Sequence, residues 1–421
     1  MQIRNLREAL STKKISVHEL AKSYLERIEK NSDLNAYTYI AEDILEQADR
    51  AQQKINNGEL KLLTGIPISI KDNINVESMP TTNGSSLFTK NKVKTDAALV
   101  KNLKEHGAII LGKTNMDELA MGATGESSSY GASLNPLDKT RTAGGSSSGA
   151  AVSVAADLCV AAIGTDTGGS ISQPASFCGL TGHKPSHFMF DTSGVFKMVP
   201  DMDQAGPMAK SAEDCMVMLA CMSAFASGYP QEPFENLNGL KIGVIEQFLE
   251  GEALEPIKNI IKLLEEKGAK ITYLDFEEAL TAGELYAHYA YSICSKFMDE
   301  KLKDHQHLLG KEAIRRLELG RTFIKEGIFS EAVSKKSLLT KKASELLAEN
   351  TFIIGPSATY KAPMFSEEIP HICTDWINLA GLPNLSTPMP VSGLPIGLSI
   401  TSFPRMDGKI LALANLIEQW N

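Results

Sequence analysis

Between Thr124 and Gly182 the chain is dominated by Gly, Ser, Thr and Ala, yet the middle of that stretch, Ala150 to Ile163, is interrupted by a charge only at Asp157. A flexible linker has no use for so apolar a run, which must be buried. Small residues let backbones approach closely and turn amides toward a ligand. The segment therefore reads as a buried helix–strand core wrapped in a Gly/Ser-rich site. The apolar run Ala150 to Ile163 is shorter than the roughly 20 residues that span a bilayer. The first residues, Met1 to Glu8, hold no apolar stretch of the signal-peptide kind.

The flanking sequence alternates helix and strand signals. Ser16 and Glu19 are spaced as a capping box, with Leu20, Tyr24 and Ile28 on one helical face. A second helix is predicted over Glu42 to Asn56, and a strand over Gly65 to Ile70 that ends at Lys71-Asp72-Asn73. Leu99 to His106 reads as a helix closed by Gly107, before the short strand Ala108 to Leu111. Leu158 to Ile163 reads as a strand. Leu240 to Ile245, Pro256 to Lys267 and Ile271 to Leu274 form a β-α-β pattern; 277–350 is mostly helical and 351–401 returns to short strands. This alternation predicts a layered α/β fold with one continuous core.

Composition narrows the function. The 421 residues are 43% hydrophobic and 22% charged, ordinary values for a globular chain. Lys+Arg 42 against Asp+Glu 51 gives a net charge of −9, which disfavours a surface devoted to nucleic acid. Six scattered cysteines without a Cys-x-x-Cys read as reduced, buried thiols of a cytoplasmic protein. The eight histidines show no metal-ligand spacing, and His305 and His307 sit in a charged, solvated stretch. No metal and no cofactor is expected, and no membrane partner.

Two familiar strings fail on physical grounds. Gly107 to Thr114 matches the phosphate-loop pattern, but its four intervening residues are themselves the predicted strand and cannot cradle phosphate. Gly145 to Gly149 matches the nucleophile-elbow string, but the preceding residues 136–142 are too polar for the strand an elbow needs.

Three elements remain with one chemical logic. Lys71 ends an apolar strand, Ser146 to Ser148 lie in a glycine-flanked turn, and Ser170 follows Gly164-Thr165-Asp166-Thr167-Gly168-Gly169. A serine hydroxyl needs a base to become a nucleophile. No histidine neighbours these serines in sequence, although His183, His187 or His371 could reach them in the fold. Lysine can serve if burial disfavours its ammonium. Gly168-Gly169 would let consecutive amides face one point, as in an oxyanion hole.

These segments, with Gln173-Pro174-Ala175-Ser176, Ser69-Ile70-Lys71-Asp72-Asn73, Gly112 to Glu118, Asp203 to Pro207 and Asn378 to Pro383, resemble the amidase-signature family. Lys71 and Ser146 are 75 residues apart, and Ser146 and Ser170 are 24 apart, as in such enzymes. The resemblance implies one large domain over 1–421, a mixed central β-sheet covered by helices on both faces. Within it 65–210 would be the signature core, 238–350 a β-α-β plus helical subregion, and 351–421 strands and a helix that complete the core. It implies a Ser-cisSer-Lys triad: Ser170 as acylated nucleophile, Ser146 after a cis peptide as bridge, and neutral Lys71 as base. Ser147 would support the bridge, and the amides of Thr167, Gly168, Gly169 and Ser170 would hold the oxyanion. Met121, Gly122, Ser172 and His371 become the substrate-binding expectations.

Within the family the resemblance is nearest to the A-type component of the aminoacyl-tRNA amidotransferase, which releases ammonia from glutamine for a partner protein that works on misacylated tRNA. The likeness extends to Gly310-Lys311-Glu312 with Arg315-Arg316. Yet the glutamine-recognising Asp and Arg of that component fall here on His371 and Thr340, and the signature Arg on Ser172. An amidase acting on an amide other than glutamine is therefore the first reading, the amidotransferase component the second and a non-catalytic relative the third. Nine Lys/Arg against four Glu over Lys311 to Lys342 read as a solvated helix face, or as a tRNA or partner face in the second reading. Phe188, Phe190, Met198 and Met202 read as core, with a lining role in an apolar pocket as the alternative.

Overall fold

The capping box forms as the spacing predicts: Ser16 Oγ accepts from Glu19 N at 3.1 Å and Glu19 Oε2 accepts from Ser16 N at 2.9 Å, opening the helix Val17–Lys30. The computed structural model describes residues 2–88, 92–223, 234–367 and 372–420. Its strands are β1 (Tyr37–Ile40), β2 (Pro67–Lys71), β3 (Ile109–Thr114), β4 (Ala161–Asp166), β5 (Thr181–Lys184), β6 (Gln204–Ala209), β7 (Lys241–Ile245), β8 (Lys270–Leu274), β9 (Phe352–Pro356), β10 (Asn384–Pro388) and β11 (Gly397–Thr401).

All eleven join one sheet in the order β1-β3-β2-β4-β6-β5-β10-β11-β9-β7-β8. β2 runs parallel to β3 and β4, and β7 runs parallel to β8 and β9; the remaining pairings are antiparallel. The sheet is mixed, as expected. β2, β3, β4 and β6 are buried along their whole length, the mark of strands covered by helices on both faces. β8, at the sheet edge, is largely exposed. No helix among the described residues is long and apolar enough to cross a membrane.

One boundary differs in a way that matters. Residues 158–160 are not strand; β4 begins at Ala161 and continues through Gly164-Thr165-Asp166. Its register with β6, from Ala161↔Ala209 to Asp166↔Gln204, carries the strand past its apolar half and delivers two polar residues beside the end of β2. β3 likewise starts at Ile109 and runs to Thr114, so the phosphate-loop look-alike is indeed strand. Its Lys113 is buried 3.3 Å from Asp72. The six cysteines are buried thiols. Met198 and Met202 pack in the core beneath the helices of 277–350, whereas Phe188 is 89% exposed.

Candidate active site

Three chain segments meet where β2 and β4 end. β2 presents Lys71 between its two parallel neighbours, with its side chain fully buried. Ser146 and Ser147 lie in the turn that opens the buried helix Ser148–Ala155, and the Gly145–Ser146 peptide is cis. The turn after β4 carries Ser170 into the helix Ser172–Cys178. The two serine turns are tied together: Ser147 N donates to the Ser170 carbonyl at 3.3 Å.

Lys71 Nζ faces four oxygens: Ser146 Oγ at 2.8 Å, Ser147 Oγ at 2.9 Å, Thr165 Oγ1 at 2.9 Å and Thr165 O at 3.2 Å. None of these partners is a carboxylate. Burial drives its pKa from the ordinary 10.5 down to about 7, against the opposing pull of Asp117, Asp166 and Asp203. A neutral amine has two N–H groups and one lone pair. The Ser147 hydroxyl gives its own proton to Thr165 O at 3.0 Å, so it receives from Lys71 rather than donating to it. The hydrogen bond of the Ser146 hydroxyl is the one to Lys71. An uncharged Lys71 can therefore take the Ser146 proton.

The other carboxylates nearby shape the site. Asp166 accepts from the amides of Gly169 (2.8 Å), Ile171 (2.6 Å) and Ser172 (3.4 Å) and from Asn378 Nδ2 (2.6 Å), curling the chain around Ser170. Asp117 accepts from Gly125 N, Ser127 N and Ser127 Oγ, pinning the loop over the cis turn. Asp203, raised to about 6 by burial, accepts from Thr167 Oγ1 at 2.6 Å. Sequence reasoning misses all three anchors. For Asp166 alone a signal is available, an acid at a strand end followed by Thr167-Gly168-Gly169.

Ser170 opens onto a cavity of about 880 Å³ lined also by Gly122, Gly145, Gly168, Tyr286, Arg315 and Arg316. Gly122 thus stands in the same cavity as the nucleophile candidate. Met121 does not: it is buried in the core with Cys294 Sγ 3.4 Å from its sulfur. Ser172 is also withdrawn, because its hydroxyl accepts from Asn384 Nδ2 at 2.8 Å and is held inside the protein. His371 lies outside the described residues. Thr340 bonds Lys336 O on its own helix and does not line the cavity. His183 is fully buried, with its Nε2 paired to Asp407 Oδ1 at 3.0 Å, and does not line the cavity. Among the four expected oxyanion donors, Gly169 has its amide committed to Asp166. The basic run from Lys311 to Lys342 is not uniformly solvated either, since Arg316 is turned inward, 16% exposed, at the cavity wall.

Comparison with known proteins gives the class. The amidase family model matches residues 19–411, so the chain belongs to the amidase family and is a hydrolase of amide C–N bonds. It is 36% identical to the A-type component of glutamyl-tRNA(Gln) amidotransferase from Thermoanaerobacter pseudethanolicus, covering 100% of this chain and 96% of that one. A crystal structure described as an amidase superposes with a TM-score of 0.90 at 28% identity, covering both chains completely. The A-type component of glutamyl-tRNA(Gln) amidotransferase from Thermotoga maritima superposes with a TM-score of 0.79 at 27% identity, over 100% of this chain and 94% of that one.

Proposed function

We propose that the chain cleaves its amide through Ser170 as nucleophile, Ser146 as proton bridge and neutral Lys71 as base. The observation that carries this reading is the buried Lys71 amine against the Ser146 hydroxyl, beside a cavity that reaches Ser170. Ser170 Oγ attacks the carbonyl carbon and passes its proton to Ser146, whose own proton moves to Lys71. The amides of Thr167, Gly168 and Ser170 stabilise the oxyanion, with Gly169 serving the loop instead. On collapse the C–N bond breaks and the nitrogen leaves with the proton returned through Ser146. Water, deprotonated along the same path, then releases the acid from Ser170.

For the substrate, the sequence relatives favour glutamine, with ammonia passed to a partner protein that works on misacylated tRNA. Thr340 favours a second reading, an amidase with another small amide as substrate, because a hydroxyl bound to its own helix offers no charge to an amino-acid carboxylate. The test is ammonia release by the purified chain from glutamine and from other primary amides, with Ser170→Ala as blank. Release from glutamine supports the first substrate. Ser170-dependent release from other amides with glutamine inert supports the second, and the absence of any Ser170-dependent release overturns the mechanism.

A further inference from the structure

The start of the helix Lys311–Lys325 forms a wall of the same cavity as Ser170. Its Gly310 N donates to Glu118 Oε2 at 2.6 Å, which fastens the helix to the short turn beside the cis loop. Two guanidinium groups on this helix share a single carboxylate. Arg315 grips Glu312 through Nε and a terminal nitrogen, both at 2.8 Å, and Arg316 reaches the same group through Nε at 2.6 Å. On this helix two positive charges meet one negative, while Glu126, Glu284, Glu367 and Asp375 also line the cavity.

Arg316 is the more informative of the pair. It is 16% exposed against 56% for Arg315, and it lies over the Tyr291 ring at 5.2 Å from the centroid. Glu312 occupies only its Nε, and neither terminal nitrogen donates to another described residue. A nearly buried guanidinium with terminal nitrogens to spare, stacked on an aromatic ring in the cavity that holds Ser170, is a fork built for a planar anion. Asp375 and Glu284 also line the cavity, so an amino group beside the anion finds acidic neighbours.

We infer that Arg316, assisted by Arg315, receives a carboxylate of the substrate, and that the preferred substrates are monoamides of dicarboxylic acids. The inference rests on Ser170 being the nucleophile, and it supplies from the helix Lys311–Lys325 the positive charge that Thr340 lacks.

The experiment compares amides that differ only in the distal group: glutaramate against valeramide and succinamate against butyramide, with glutamine as the member that adds an amino group. The wild-type enzyme is expected to show a KM for the carboxylated member at least about tenfold lower. Arg316→Gln should raise that KM about tenfold to a hundredfold, with kcat changed less than about threefold and the neutral amides unaffected. Arg316→Lys, which keeps the charge but not the fork, should fall between. Calorimetric titration of glutarate into the Ser170→Ala protein, with and without Arg316→Gln, reads the same contact without catalysis and should show binding only when Arg316 is present. Equal use of charged and neutral amides by the wild type, equal damage to both by Arg316→Gln, or glutarate binding indifferent to Arg316 would each overturn the assignment. If no amide is cleaved in a Ser170-dependent way, the proposed mechanism falls, and the glutarate titration still decides the role of Arg316.

Discussion

The floor, Lys71, Ser146, Ser147 and Thr165, lies behind the cavity-lining Gly145 and Ser170; its first three residues are wholly buried and the fourth nearly so, and their polar groups are bonded to one another within a few ångströms. At the cavity wall Arg315 and Glu312 are substantially exposed, and Arg316 has terminal nitrogens to spare. The floor is made from strand ends and tight turns whose positions the sheet fixes. The wall is one helix face, held by a cap and a shared carboxylate. Buried, mutually satisfied groups tolerate little change, because each lost partner strands another. A half-exposed helix face can exchange side chains without disturbing the backbone beneath it. On the proposed mechanism, bond cleavage and choice of substrate would fall to parts of the molecule with different tolerance.

The contrast can be attacked first at its strongest point. Ser170→Ala should abolish product release while leaving far-ultraviolet circular dichroism and the unfolding midpoint close to wild type. Activity above background would remove Ser170 from the chemistry. Lys71→Ala should lower kcat by several orders of magnitude. The sign of the pH effect is set by the amine having to be neutral to accept a proton. With its pKa near 7, the wild-type rate should fall as pH drops below about 7 and level off above it. A pH–rate profile of the alanine variant that keeps the same acid limb would assign the limb to another group.

A smaller effect is expected where Gly168 meets Tyr286 at the cavity lining. A Cβ on Gly168 would run into the Tyr286 ring, so Gly168→Ala should cost about tenfold to a hundredfold in kcat/KM. Trimming the ring in Gly168→Ala/Tyr286→Leu should recover part of it, and no recovery would mean the damage lies in the backbone. The smallest effect is expected at Ser172. Its hydroxyl serves Asn384, so Ser172→Ala should leave KM unchanged and lower stability by about 1 kcal/mol in urea unfolding. A raised KM would return Ser172 to the substrate.

The same contrast governs what the sequence discloses. Lys71 stands at the end of an apolar run and Ser170 beyond Gly-Gly, so local pattern singles out both, and strands such as β2 and β7 lie within a few residues of their predicted spans. The end of β4 escapes local pattern because Gly164-Thr165-Asp166 has turn composition, while pairing with β6 holds it extended. Ser172 and Met121 turn away from the cavity although they neighbour Ser170 and Gly122, since sequence distance says nothing about which way a side chain points. Arg316 hides in a charge run that reads as solvated for the same reason. Its inward turn depends on Tyr291 and on the anchoring of Gly310 by Glu118, contacts between segments that no local window contains.

The six buried thiols carry a consequence for handling the protein. Packing raises the pKa of each, as for Cys159 at about 11, so the native molecule offers almost no thiolate to an oxidant. Melting removes that shelter from all six together, and air can then lock the open chain into mismatched crosslinks before it recoils. Recovery after heating should accordingly hinge on added reductant, making the return journey a matter of redox chemistry as much as of folding free energy.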